Sequence, residues 1–150
     1  MGVVPEHLLP EEIERRSFAI IGEELGPVDL SPEELVVLKR VIHTSADFDY
    51  RENLCFSGGA VQAGMAALQR GATIVTDTRM AWSGISKPAL AKLGGEAVCF
   101  IAAEDVAAAA KQHGTTRSAA AVGKAAALPG ELIFAVGNAP TALLRLHEWV

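Results

Sequence analysis

From Thr73 onward the sequence alternates short β-branched or apolar runs with helical stretches that close on glycine or before proline. Residues 73–76, 97–101 and 132–136 read as strands. Residues 57–70 closed by Gly71, 86–93 closed by Gly94, 104–113 closed by Gly114, and 116–127 before Pro129 read as helices. Strands separated by helices of this length build βαβ units, because parallel neighbours need a crossover between them. The expected fold class is therefore α/β: a mostly parallel sheet flanked by helices, in a three-layer α/β/α arrangement. Aromatic residues make up only 5% of a chain that is 50% hydrophobic, so the core must be built from Ala, Val, Ile and Leu. The alanines of 107–110 and 119–127 let helices lie close against the sheet.

The first part of the chain reads differently. The first nine residues look like a lead-in arm. Pro10 then occupies a first helical position, with Glu11, Glu12 and Glu14 at the positive end of the helix dipole. Ile13, Ser17, Ile20, Ile21 and Leu25 recur at helical spacing, so a helix is expected over 10–25. Ser17 interrupts that apolar stripe, and its hydroxyl either bonds back to the helix backbone or faces a ligand. Gly26 and Pro27 break the chain. Ser31-Pro32-Glu33-Glu34 supplies an N-cap, a proline at N1 and a capping-box glutamate, so a second helix should run from 32 to about 42. Leu35, Leu38, Val41 and Ile42 would face inward. His43 follows directly at its C-terminus, where the negative end of the helix dipole favours an imidazolium.

Length and charge exclude several functions. The 150 residues suggest one domain spanning 1–150, long enough to close a core without disulfides. A net charge of −5 argues against general nucleic-acid binding, which needs a surplus of Lys and Arg. No apolar run reaches the ~18 residues of a membrane span, and the N-terminus lacks a signal-peptide pattern. Cys55 and Cys99 lie far apart in apolar contexts and read as reduced core residues of a cytoplasmic protein. There is no Walker A sequence, no G-x-S-x-G elbow, no H-E-x-x-H and no C-x-x-C. His7, His43, His113 and His147 share no metal-ligand spacing, so no metal site is expected. Asp47 and Asp49 mark a turn more readily than a cation site. Ser57-Gly58-Gly59-Ala60 reads as a capped helix start whose glycines allow close packing.

Three polar segments remain. Thr76-Asp77-Thr78-Arg79-Met80 and Asn138-Ala139-Pro140-Thr141 each follow a predicted parallel strand at its carboxyl end, where open α/β sheets bind ligands. Gly114-Thr115-Thr116-Arg117-Ser118 joins two helices. Its backbone N–H groups open a helix and Arg117 adds a fork for a carboxylate, which together make an anion site in kind. Each segment taken alone is also ordinary capping chemistry.

Arg40-Val41-Ile42-His43-Thr44-Ser45-Ala46-Asp47-Phe48-Asp49 and Glu52-Asn53-Leu54-Cys55-Phe56-Ser57 resemble the precorrin-8X methylmutase family of cobalamin biosynthesis. So do Ile13-Glu14-Arg15-Arg16-Ser17-Phe18, Ile74-Val75-Thr76-Asp77-Thr78-Arg79-Met80, Gly114-Thr115-Thr116-Arg117-Ser118-Ala119-Ala120 and Gly137-Asn138-Ala139-Pro140-Thr141-Ala142-Leu143. These motifs occur in order over nearly the whole chain. The resemblance implies an isomerase that moves a methyl group from C-11 to C-12 of precorrin-8X or cobalt-precorrin-8 by a 1,5-sigmatropic shift. The product is hydrogenobyrinic acid or its cobalt-containing counterpart. It implies no organic cofactor, a homodimer with the cleft near the subunit interface, and a catalytic histidine at His43. Ser17, Thr76, Arg79, Thr116, Arg117, Ser118, Asn138 and Thr141 are the substrate-binding residues it suggests.

Two departures stand out. The family's Ser-Pro-Gly-Ala helix opener is Ser57-Gly58-Gly59-Ala60 here, and the chain stops at Trp149-Val150, where family members continue through another strand and helix. Two other readings compete with the isomerase. One is a tetrapyrrole-binding module that no longer rearranges its pigment. The other is an α/β domain for some other polycarboxylate, with His43 a satisfied core residue.

Overall fold

The computed structural model describes residues 9–149. The expected N-terminal arm and His7 therefore lie outside the described residues, Leu9 excepted. The chain divides after Gln62 into two compact units.

The first unit is helical: α1 (Pro10–Leu25), α2 (Pro32–Ser45) and the single-turn α3 (Tyr50–Asn53). The capping box forms as expected at α2. Ser31 Oγ accepts from the Glu34 N–H at 3.3 Å, and Glu34 Oε2 accepts from the Ser31 N–H at 2.9 Å. Replacing Ser31 with alanine is expected to cost about 1 kcal/mol, read as a lowered midpoint in denaturant unfolding.

At its other end α2 runs past residue 42. The Thr44 and Ser45 hydroxyls donate back to the carbonyls of Arg40 and Val41, and the helix stops only where Ala46 turns to φ 57°. His43 thus sits inside the last turn rather than beyond it. Ile21, Leu25, Leu38 and Ile42 form the buried core, with Leu30, Leu35, Phe48 and Leu54 packed around it. Each such buried aliphatic side chain contributes roughly 2 kcal/mol by leaving water. Arg51 of α3 donates to the carbonyls of Leu25 and Pro27, fastening the turn after α1. The Asp47–Asp49 turn reading holds: Asp47 Oδ1 accepts from the Asp49 N–H at 2.9 Å.

A helix α4 (Ala60–Gln69) leads into the second unit. It starts at Ala60 rather than 57 because Gly59 takes φ 75°, outside the helical region. A Cβ at Gly58 or Gly59 would meet nothing within 4 Å. The pair serves the backbone angle at Gly59, not close packing.

Then follow β1 (Thr73–Thr76), α5 (Arg79–Gly84), α6 (Lys87–Lys92), β2 (Glu96–Val98), α7 (Glu104–Gln112), α8 (Arg117–Ala125), β3 (Leu132–Ala135) and α9 (Pro140–His147). The strands form one parallel sheet in the order β2-β1-β3, with Thr73 opposite Glu96 and Leu132. The α/β class is the expected one.

β2 ends three residues before the expected 101, because Phe100 already accepts a turn bond from the Ala103 N–H at 3.0 Å. Close packing occurs instead at Gly95, where a Cβ would lie 2.6 Å from the Ala72 carbonyl oxygen. The core is largely Ala and Val: Ala72, Val75, Val106, Ala110, Ala121, Val122, Ala125 and Ala142, joined by Leu90. The cysteines depart from expectation. Both are free, but Cys55 is exposed and Cys99 only half-buried, so neither is a core residue.

Candidate functional site

In the first unit α1 and α2 bring two of the expected residues into contact. Ser17 neither bonds back to its own helix nor stands alone: its Oγ lies 2.8 Å from His43 Nδ1. The next residue, Phe18, stacks on the imidazole with centroids 5.3 Å apart and planes 19° from parallel. The Arg40 guanidinium lies 4.7 Å from the centroid of the Phe18 ring, and it pairs with Glu14. Among the described residues His43 Nε2 has no hydrogen-bond partner.

The spacing of these residues explains the arrangement. Arg40 and His43 are three apart on α2, and Glu14, Ser17 and Phe18 share one face of α1, so each helix presents one stripe to the other. Ile21 and Leu25 enter the core, but Ile13 and Ile20, expected to join them, remain 53% and 46% exposed. With Arg16, Ser17, His43 and Phe48 they line an apolar groove of about 380 Å³. An imidazole with one free nitrogen at the edge of an apolar groove can pass a proton to a hydrophobic ligand.

In the second unit the loops after β1 and β3 leave the same end of adjacent parallel strands. The sheet order 2-1-3 places the reversal of winding between those two strands, the position where open α/β sheets bind ligands. Asp77, which was not among the expected site residues, ties the two loops together. Its buried carboxylate accepts from the backbone N–H groups of Gly137 (3.1 Å), Asn138 (2.9 Å) and Ala139 (2.9 Å). Burial pushes its pKa up, but these backbone donors outweigh that and leave it below the ordinary carboxylate value. An acidic residue directly after a predicted strand, facing a glycine-containing loop after the next parallel neighbour, was the signal for it.

The remaining expected residues fall around these loops and around α8. Thr76 is buried, with its hydroxyl donating to the Thr78 carbonyl at 3.0 Å, while Thr78 caps α5. Arg79 and Arg117 are exposed at the starts of α5 and α8, and among the described residues neither meets a carboxylate. Thr116 caps α8 through the Ala119 N–H and donates to Thr141 Oγ1 at 2.8 Å. Ser118 is half-buried in the first turn of α8, and Asn138 is exposed.

A second cavity of about 680 Å³ opens among α7, α8 and α9, lined by His113, Thr115, Lys124, Thr141 and Arg145. Its Lys124 is paired with Asp105 at 2.5 Å and its Arg145 with Glu148. Among the described residues no group of three or more His, Cys, Asp or Glu is arranged to hold a metal ion, and no helix is long and apolar enough to cross a membrane.

Comparison with known proteins gives a consistent result. Residues 12–150 match the family described as precorrin-8X methylmutase. The cobalt-precorrin-8 methylmutase of Priestia megaterium is 42% identical over 95% of this chain and 63% of its own length. That of Salmonella typhimurium is 45% identical over 93% of this chain and 69% of its own. The crystal structure of a precorrin-8X methyl mutase from Thermus thermophilus superposes with a TM-score of 0.79 at 43% identity, covering 91% of this chain and 67% of that one. The chain spans about two thirds of the length of such relatives. By this sequence match and this fold, the chain belongs to the precorrin-8X methylmutase family.

Proposed function

We propose that this chain is the greater part of a single methylmutase domain, an isomerase that moves a methyl group from C-11 to C-12 of precorrin-8X or cobalt-precorrin-8. The product is hydrogenobyrinic acid or cobyrinic acid. The observation that carries the reading is the Ser17–His43 pair at the edge of an apolar groove, in a chain of this family.

A methyl shift within one bound molecule is redox-neutral and needs no nucleophile. It needs the macrocycle held in one orientation and a proton placed on it and taken back. In this reading His43 is the general acid. Its free Nε2 delivers the proton that brings the macrocycle to its reactive tautomer and recovers it once the methyl group has moved. The reaction requires no organic cofactor, and cobalt, where present, arrives with the substrate. Thr76, Arg79, Thr116, Arg117, Ser118, Asn138 and Thr141 are the residues assigned to substrate binding, while Ser17, which the resemblance also placed there, shares the groove wall with His43 and is bonded to it. Arg79 and Arg117 offer guanidinium forks to the carboxylates of the macrocycle. The working form is a homodimer in the cytoplasm.

Anaerobic incubation of the purified chain with precorrin-8X, with and without cobalt, followed by absorption spectroscopy tests the reading. Conversion to the corrin spectrum supports it, and a bound but unchanged pigment contradicts it. Replacing Arg117 with alanine is expected to weaken substrate binding about tenfold, or about 1.4 kcal/mol, with the bound-state rate little altered. An unchanged dissociation constant in titration would remove Arg117 from the carboxylate clamp.

A further inference from the structure

The contact between Ser17 Oγ and His43 Nδ1 spans two helices and joins two side chains of the same groove wall. An imidazole has two nitrogens, and a proton shuttle works through one of them only if the other is committed. Here the commitment is visible. Nδ1 has the serine hydroxyl at 2.8 Å, Nε2 has no partner among the described residues, and the stacked Phe18 ring limits how the imidazole can turn.

We infer that Ser17 is a positioning residue that fixes the tautomer of His43: its hydroxyl oxygen accepts from Nδ1–H in both charge states, so the proton that moves is always the one at Nε2. In the imidazolium, Nδ1–H points to Ser17 and Nε2–H faces the groove. Transfer breaks the Nε2–H bond and forms a bond from that proton to a basic atom of the ligand. This leaves a neutral ring that still carries Nδ1–H, with the Nε2 lone pair ready to take the same proton back. An unconstrained neutral imidazole favours the opposite tautomer, with Nε2–H, which could not recover it. This assignment rests on the proposed role of His43, but the tautomer itself is observable without turnover.

The test is nitrogen NMR of the ring of His43 in the isotopically labelled full chain at a pH where the ring is neutral, alongside steady-state kinetics. The native protein is expected to show a pyrrole-type signal at Nδ1 and a pyridine-type signal at Nε2. In Ser17→Ala the two should exchange character towards the free-imidazole preference. Ser17→Thr, which keeps the hydroxyl, should restore the native pattern. In the same variants kcat is expected to fall about 10- to 100-fold in Ser17→Ala, with KM within about twofold of native and recovery in Ser17→Thr.

A native tautomer that survives in Ser17→Ala overturns the inference. So does a Ser17→Ala variant whose loss is all in KM, since that would make Ser17 a ligand contact and nothing more. Failure of the wider reading looks different: His43→Ala would keep full turnover whatever the nitrogen signals report.

Discussion

Replacing His43 with alanine is expected to lower turnover by about 10²–10⁴-fold, the usual contribution of a positioned acid–base group. The fold should stay near its native stability. The side chain is only half-buried, and its removal costs one contact to the Ser17 hydroxyl and the stacking with Phe18. Losses of that kind amount to about 1 kcal/mol each. Substrate affinity should change little, because the apolar walls of the groove, Ile13, Ile20 and Phe48, are untouched. Single-turnover kinetics paired with thermal unfolding separates the possibilities. A variant that unfolds easily but turns over normally would make His43 a structural residue, as the polycarboxylate-domain reading holds.

The second large effect is expected at Asp77. Replacement with alanine leaves the N–H groups of Gly137, Asn138 and Ala139 facing an empty space where a charged acceptor stood. Hydrogen bonds to a charged group contribute about 1.5–3 kcal/mol each and are not additive, so the variant should lose about 3 kcal/mol. For a unit of this size that lowers the melting temperature on the order of 15 °C. Asp77→Asn keeps the shape and one acceptor oxygen, and should retain about half of the stabilisation.

The pH dependence has a definite sign. The folded-state pKa of Asp77 is depressed, so below neutrality the unfolded chain binds the proton more readily than the folded one. The stabilisation is full above the unfolded value near ~4 and drains away as pH falls through the folded value. Asp105 and Glu131 are depressed as well. The hydrogen bond from Lys124 acts first on Asp105 and the hydrogen bond from Arg70 first on Glu131. Both are exposed, so solvent and salt screen them. Urea titrations between about pH 6 and pH 3 should therefore show a slope that flattens in Asp77→Ala and survives added salt. A slope unchanged in that variant would mean the loop is held by something other than this carboxylate.

Much of the architecture was legible because local signals agreed with the global fold. The run at 73–76 is β1 itself, and the proline-opened helices at 10 and 32 begin where the capping chemistry said they would. What could not be read were elements too short for periodicity. α3 and α5 are four and six residues long, less than two turns, and neither is followed by a closing glycine such as Gly94, which marks the equally short α6. Only half of the α1 stripe is covered, since 3.6-residue spacing says which residues share a face but not whether a neighbour covers all of it. Ile13 and Ile20 share the stripe with Ile21 yet border an open groove. For the site, the motif holding His43 pointed to one residue, but its partners depend on helix pairing. Ser17 lies 26 residues away in sequence, and no spacing rule links the two. Asp77 is hard to read because its partners are backbone groups 60 to 62 residues distant, and the only hints are its place after a strand and the glycine in the later loop.

The two units also differ in how far apart in the chain their contacts lie. The helix pair closes over a loop of 26 residues, as from Ser17 to His43, whereas central strand β1 must wait for β3, with Thr73 meeting Leu132 only after four helices and β2 have been made. Loop-closure entropy and contact order both make the second event the slower. During synthesis the imidazole and its serine can be in place while the sheet is still being translated. Pairing of β3 with β1, and the Asp77 contacts that close its loop, are therefore expected to be the later folding step.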